Sequence, residues 1–203
     1  MKLQVIRPED PQYGFWNSRG VNLQFAGKPA GIIPVISDEE LAEALQQAVS
    51  QKQKLAVRGG GHCLENFVAN DAVEIIIDIS QLKGIRYDPA MNAIEVRAGN
   101  TVGEVSEFLS NEWNVVLPMG EHPDIGIGGH IQGGAFGFLC RRHGLGADFL
   151  YAVEMLGVNK DGIVQKFIAK REDNDINRDL WWAHTGGGAG NFGIVTRFWF
   201  RSY

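Results

Sequence analysis

The segment Val57-Arg58-Gly59-Gly60-Gly61-His62-Cys63 sets three consecutive glycines and an imidazole directly after an apolar run, and no other stretch of the chain narrows the choice of backbone as far. Three glycines in a row cost conformational entropy, so a sequence keeps them where the chain takes positive φ or where another group comes close to the backbone. Successive N–H groups free of side chains can converge on an anion as a nest, and a diphosphate is the expected occupant. The competing reading is a flexible turn that ends in histidine, because glycine also dominates turns.

Glycine clusters recur between Gly126 and Gly137 and between Gly186 and Gly193. Branched aliphatic and aromatic residues flank each cluster, in place of the Ser, Gln and Pro of a flexible linker. The three segments therefore read as rigid, specified loops. With 203 residues of which 44% are apolar, the chain can bury a full core in one or two domains. A net charge of -5 with no run of Lys and Arg argues against a nucleic-acid partner. No window approaches the roughly 18 apolar residues of a membrane span, and Met1 to Asp10 lacks the apolar core of a signal peptide, so a soluble cytoplasmic protein with no membrane partner is expected. Two cysteines far apart, Cys63 and Cys140, predict free thiols rather than a disulfide framework.

Residues 30–35, 37–52 and 55–58 read as strand, helix, strand. Ser37 with Glu40 fits a capping box, and Leu41, Leu45 and Val49 share one helical stripe. The β-branched run 73–79 predicts a buried strand beside the first two, completing a small α/β unit over residues 1–86. From residue 87 a second unit is expected. There, 93–99 alternates as a half-buried strand, Thr101 and Glu104 offer another capping box ahead of a helix through 105–109, and 151–158 and 163–169 read as a hairpin joined by Asn159-Lys160-Asp161-Gly162. Residues 194–200 alternate as a last strand. The sheet of the second unit, residues 87–203, is expected to be antiparallel.

Gly188-Ala189-Gly190-Asn191-Phe192-Gly193 matches G-x-G-x-x-G literally, yet that fingerprint must follow a strand, open a helix and be followed by an acidic residue about 20 positions on. Here it opens a strand. No P-loop and no Gly-x-Ser-x-Gly elbow is present. His62, His122, His130, His143 and His184 all lie near glycine-rich segments, but none of the pairs has the i, i+4 spacing of a helical zinc site, so no metal is expected.

The run from Pro118 to Gly137 is too long for a turn and too apolar for a linker. Taken with Arg58-Gly59-Gly60-Gly61-His62, with Arg141-Arg142-His143-Gly144-Leu145-Gly146-Ala147-Asp148, and with Trp181 to Thr196, it resembles the FAD-binding, PCMH-type domain of the vanillyl-alcohol oxidase superfamily. The berberine bridge enzyme-like oxidases are the most similar branch. The resemblance covers essentially the whole chain, and the closing motif is similar to that of bacterial oxidases of natural-product sugars. It implies an α+β fold of two subdomains, a small α/β N-terminal unit and a mainly antiparallel sheet flanked by helices, with FAD between them.

By that resemblance His62 is the residue joined to the flavin 8α-methyl group. Gly59 to Gly61 and Gly128 to Gly134 contact phosphate and ribityl groups, and Asn191 to Val195 form the adenine side. Asp124 either bonds polar atoms of the cofactor or caps a helix. The full set of cofactor-lining positions implied is Arg58, Gly59, Gly60, Gly61, His62, Cys63, Pro118, Gly120, His122, Asp124, Gly128, Gly129, His130, Gly133, Gly134, Asn191, Gly193, Ile194 and Val195, with His130 and His143 in structural roles. Two departures stand out. Many relatives attach the flavin a second time through a Cys before the Pro of the second loop, and here that position is His122. Relatives also continue into a substrate-binding domain and return with their catalytic bases, none of which lies in these residues, so a second polypeptide or domain is an expected partner. The implied chemistry is oxidation of an alcohol or sugar group of a small molecule, and the alternative is a flavin-binding module without turnover of its own.

Overall fold

The computed structural model describes residues 3–201. Met1, Lys2, Ser202 and Tyr203 lie outside the described residues, and with them the first two residues of the segment read for a leader.

A short helix α1 (Tyr13–Asn17) precedes three parallel strands, β1 (Gly31–Pro34), β2 (Leu55–Arg58) and β3 (Ile75–Asp78). Between β1 and β2 runs α2 (Asp38–Ser50). The sequence predicts β3 beside the other two, and the structure inserts it between them, in the order β1-β3-β2. Its Ile75-Ile76-Ile77 run is buried throughout, as expected of a central parallel strand covered on both faces. Ser37 caps α2 by accepting the Glu40 N–H at 3.2 Å, whereas the Glu40 carboxylate reaches past the cap to the Ile36 N–H at 2.8 Å. The expected reciprocal box is therefore half made. Leu41, Ala44, Leu45 and Ala48 are the buried stripe.

The second sheet has the order β4-β5-β8-β6-β7, from β4 (Ile85–Asp88), β5 (Ala93–Arg97), β6 (Leu150–Val158), β7 (Val164–Lys170) and β8 (Ile194–Phe200). Every pairing in it is antiparallel. Between β5 and β6 come α3 (Val102–Trp113), α4 (Ile127–Gln132) and α5 (Cys140–His143), and α6 (Arg178–Ala183) precedes β8. At α3 the Thr101–Glu104 capping box is complete: Glu104 accepts the Thr101 N–H at 2.7 Å, and Thr101 Oγ1 accepts the Glu104 N–H at 3.3 Å. In the β6–β7 turn Gly162 supplies the positive φ of 78°, and Asn159 Oδ1 accepts the Asp161 and Ile163 N–H groups at 2.9 Å each. The sequence gives no signal for β4, whose residues are half-buried or exposed.

One core joins the two sheets, running from Ile33, Leu41 and Ile77 in the first unit to Val96, Val153 and Phe198 in the second. Polar clamps add to it. Asp38, at the start of α2, bridges Arg97 of β5 and Arg197 of β8, and Gln46 holds the β6–β7 hairpin through the Gly162 carbonyl at 3.0 Å and the Val164 N–H at 2.9 Å. No helix among the described residues is long and apolar enough to cross a membrane.

Candidate functional site

β2 ends at Arg58, and its guanidinium is 4% exposed beside Asp78, which is fully buried at the end of β3. Arg58 Nε donates to Asp78 Oδ2 at 2.8 Å, Arg19 Nη1 reaches both carboxylate oxygens at 3.0 and 2.9 Å, and the Ser80 hydroxyl donates at 2.5 Å. A buried carboxylate shared in this way satisfies its charge and pins the loop that begins one residue later. Burial pushes the Arg58 pKa down, and Asp78 opposes that.

The first two glycine clusters meet back to back. A Cβ added to Gly60 would lie 2.3 Å from both the Asp124 carbonyl and the Gly126 N, and one added to Gly126 would lie 2.3 Å from the Gly60 N. Only glycine lets the two backbones approach this closely. On the other side, the Gly61 carbonyl accepts the Val21 N–H at 2.9 Å.

This contact carries His62 and His122 to one spot. Their ring centroids are 4.6 Å apart and their planes are inclined by 54°. His122 is exposed and His62 half-buried. His122 Nδ1 accepts the Asp124 N–H at 3.2 Å. Burial lowers the pKa of His62 below the ordinary histidine value, His122 lowers it further, and Asp124 pulls the other way. A neutral imidazole keeps a lone pair free for bonding to carbon.

The second cluster is tied to the third through the β5 end. Gly128 N donates to the Ala98 carbonyl at 3.0 Å, and Ala98 N donates to the Thr196 carbonyl at 2.9 Å. Thr196 directly follows Ile194 and Val195, whose side chains are buried. Gly193 enters β8 at φ 145°, where a Cβ would sit 2.2 Å from Met155 Cε. Gly129 faces open space, with nothing within 4 Å of the Cβ position, and Gly133 is exposed. The structure thus brings Gly60, His62, His122, Asp124 and Gly126 into contact and places Ile194 and Val195 one hydrogen-bonded step from Ala98.

Other expected positions serve the loops themselves. The buried Pro118 sets its carbonyl 2.4 Å from where a Gly146 Cβ would lie. His130 Nε2 accepts the Gly120 N–H at 2.8 Å, and burial lowers its pKa, which fits the structural role expected of it. Cys63 donates to the Glu65 carbonyl at 3.2 Å. Asn191 is exposed, with its amide on the Gly188 carbonyl at 3.2 Å. Asp124 does not cap α4, whose N-cap is Gly126 and which has no side-chain cap. Cys63 and Cys140 are both free thiols.

Sequence reading missed Arg19, Asp78 and Ser80. The available signal was Asp78 itself, a carboxylate ending an isoleucine run. His184 was also missed as a buried group: it is fully enclosed, with Nδ1 2.6 Å from the Leu180 carbonyl and its ring 5.9 Å from that of Phe192.

An open backbone face beside a half-exposed, neutral imidazole, with loops fixed from behind, fits a large cofactor whose phosphates meet N–H groups and whose ring system meets a histidine. Comparison with known proteins agrees. The family model described as "FAD binding domain" matches residues 29–167. Aclacinomycin-N/aclacinomycin-A oxidase of Streptomyces galilaeus is 46% identical over 193 residues, covering 95% of this chain and 35% of that protein. A crystal structure of a glycopeptide hexose oxidase complexed with teicoplanin superimposes with a TM-score of 0.96 at 47% identity, over 99% of this chain and 40% of that one. The glucooligosaccharide oxidase of Acremonium strictum, described with a 6-S-cysteinyl, 8α-N1-histidyl FAD, superimposes at 0.84 with 26% identity, over 99% of this chain and 40% of that one. The chain thus spans between about a third and two fifths of the length of these relatives. With its family model matched and its fold shared, the chain belongs to the FAD-binding domain family of the berberine bridge enzyme-like oxidases.

Proposed function

We propose that this chain is the FAD-holding part of an oxidase that acts on an alcohol of a sugar or of a sugar-bearing natural product, with the flavin attached through His62. The observation that carries the reading is the placement of His62: a neutral imidazole, half-buried, on a glycine loop that the Gly60–Gly126 contact and the Arg58–Asp78 pair hold rigid. When bound, FAD supplies the acceptor for a hydride from the substrate. The chain's own residues do the rest of what is visible here. Gly59 to Gly61 and the open Gly129 present backbone to the phosphate and ribityl portions, the rest of Gly128 to Gly134 shaping that wall through its own hydrogen bonds, and Asn191 to Val195 flank the adenine. His62 fixes the ring system in place.

The names of the relatives support a sugar or natural-product substrate, and an alcohol is what an oxidase of a hexose takes. A single covalent link is expected, because His122 stands where a second link would need a thiolate. In the wild-type protein, denatured and desalted, the intact mass should exceed that of the chain by one FAD, and peptide mapping should place the adduct on His62. His62→Ala that still carries flavin through denaturation would overturn the attachment site.

A second reading is favoured by the short span relative to the relatives: a flavin-binding module that turns over only with a further domain or polypeptide. It predicts that the chain by itself oxidises a hexose no faster than free FAD does.

A further inference from the structure

The neighbour of His62 has its own hydrogen bonding already committed. The His122 ring lies 4.6 Å from that of His62, centroid to centroid, and its Nδ1 accepts the Asp124 N–H at 3.2 Å. A neutral imidazole that accepts at Nδ1 carries its proton at Nε2. His122 therefore has no free acceptor nitrogen and is not a base for His62. It offers instead a fixed ring at contact distance.

We propose that His122 is a positioning residue for flavin attachment: held by the Asp124 amide, its ring packs against that of His62, restricts the rotation of that imidazole and covers it, so that a ring nitrogen is aimed at a flavin methyl carbon. This rests on the reading of His62 as the attachment point. Forming the C–N bond breaks one methyl C–H bond and the N–H bond of His62. The two electrons released reduce the flavin ring system and pass to dioxygen, which leaves with the two protons as hydrogen peroxide. A protonated His62 has no lone pair with which to begin.

The charged and titratable groups around His62 leave His122 as the group that adds to burial. Arg19 and Arg58 are paired with Asp78, and the Cys63 thiol is turned to the Glu65 carbonyl. From the second loop, Asp124 favours protonation of His62 and His122 opposes it; burial and His122 prevail. The neutral His122 ring covers His62 from water, and burial, the larger cause, disfavours the charged form.

The test uses the full-length protein with His122→Asn, which keeps a side-chain oxygen for the Asp124 amide but removes the ring, and with His122→Ala. Circular dichroism confirms folding of each, which the exposed position of His122 favours. Two readouts are taken: the titration of His62 by NMR of the flavin-free protein labelled at histidine, and the rate at which added FAD becomes resistant to denaturation, followed by intact mass. In the wild type His62 should titrate below the ordinary histidine value of about 6.5, and in both variants it should move up toward that value. Attachment in the variants should slow several-fold at about pH 6, where more of their His62 is protonated, and the deficit should shrink at about pH 8, where His62 is neutral in every form and only the orienting effect remains. Unchanged titration together with unchanged attachment rates would overturn the role of His122 while leaving the link to His62 standing. A wild type that takes up FAD but never binds it covalently would overturn the attachment reading and this proposal with it.

Discussion

Gly60 has a hydrogen where any other residue has a carbon, and that difference sets how close the two cofactor loops can lie. A Cβ there meets main-chain atoms at 2.3 Å, and main chain cannot rotate away as the tip of a side chain can. Gly60→Ala should therefore push the His62 loop off the Asp124–Gly126 loop, at a cost of about 1–3 kcal/mol as for other overpacked sites. A urea unfolding curve and the flavin-to-protein absorbance ratio should both fall, and a variant with unchanged flavin content would show that the contact does not shape the site. Single residues also set the response to acid. Burial lowers the folded-state pKa of His130 and of His184, so the unfolded chain takes up protons first. The stability due to each is complete above the unfolded value of about 6.5 and is lost as pH falls from there through the depressed folded value. His184→Leu keeps an apolar filling beside Phe192 and removes one histidine's share. Its stability measured by denaturant should decline less than that of the wild type between about pH 6.5 and pH 5, and parallel declines would refute this.

Among the elements, α2 has two tasks. Its buried stripe covers the parallel sheet, and its first residue, Asp38, ties that unit to β5 and β8 through Arg97 and Arg197. Arg197 in turn meets Glu95 at 3.4 Å and Glu154 at 3.0 Å, so two buried acids balance the charge that Asp38 also serves. Asp38→Ala leaves two arginines, each about four fifths enclosed, short of a partner. A loss of about 2 kcal/mol is expected, below the range for fully buried pairs because water still reaches part of the cluster. A double-mutant cycle with Arg97→Ala should show coupling between the two sites, and additive effects would mean that the bridge contributes nothing.

For the molecule as a whole, the surface beside the site carries large apolar side chains in the open. Phe136 is 74% exposed, Phe138 87% and Leu139 42%, all on the segment after α4, with Leu64 and Phe67 at 69% and 75% on the first loop. Apolar surface gathered in this way tends to be covered in a working protein. The 203-residue chain produced alone should associate as its concentration rises, and sedimentation velocity or light scattering would detect it. A sharp monomer at every concentration would count against that expectation.

Glycine entropy, strand alternation and helix caps are local properties, and from them the three loops, the two strand groups and the Thr101–Glu104 cap can be read before any coordinates. The resemblance carried by Arg58 to His62, Gly126 to Gly137 and Trp181 to Thr196 adds the family and its cofactor. The position of β3 inside its sheet, the half-made box at Ser37 and the existence of β4 were decided by pairing across the fold, where a neighbouring strand or amide outweighs a residue's own preference. The same holds for the site. Sequence put glycine at 60 and at 126, Asp at 78 and His at 122. Only tertiary structure set the two glycines back to back, buried Asp78 against Arg58 and Arg19, and faced His122 to His62, because contacts between distant segments depend on how the whole core closes and leave no period or spacing in the chain.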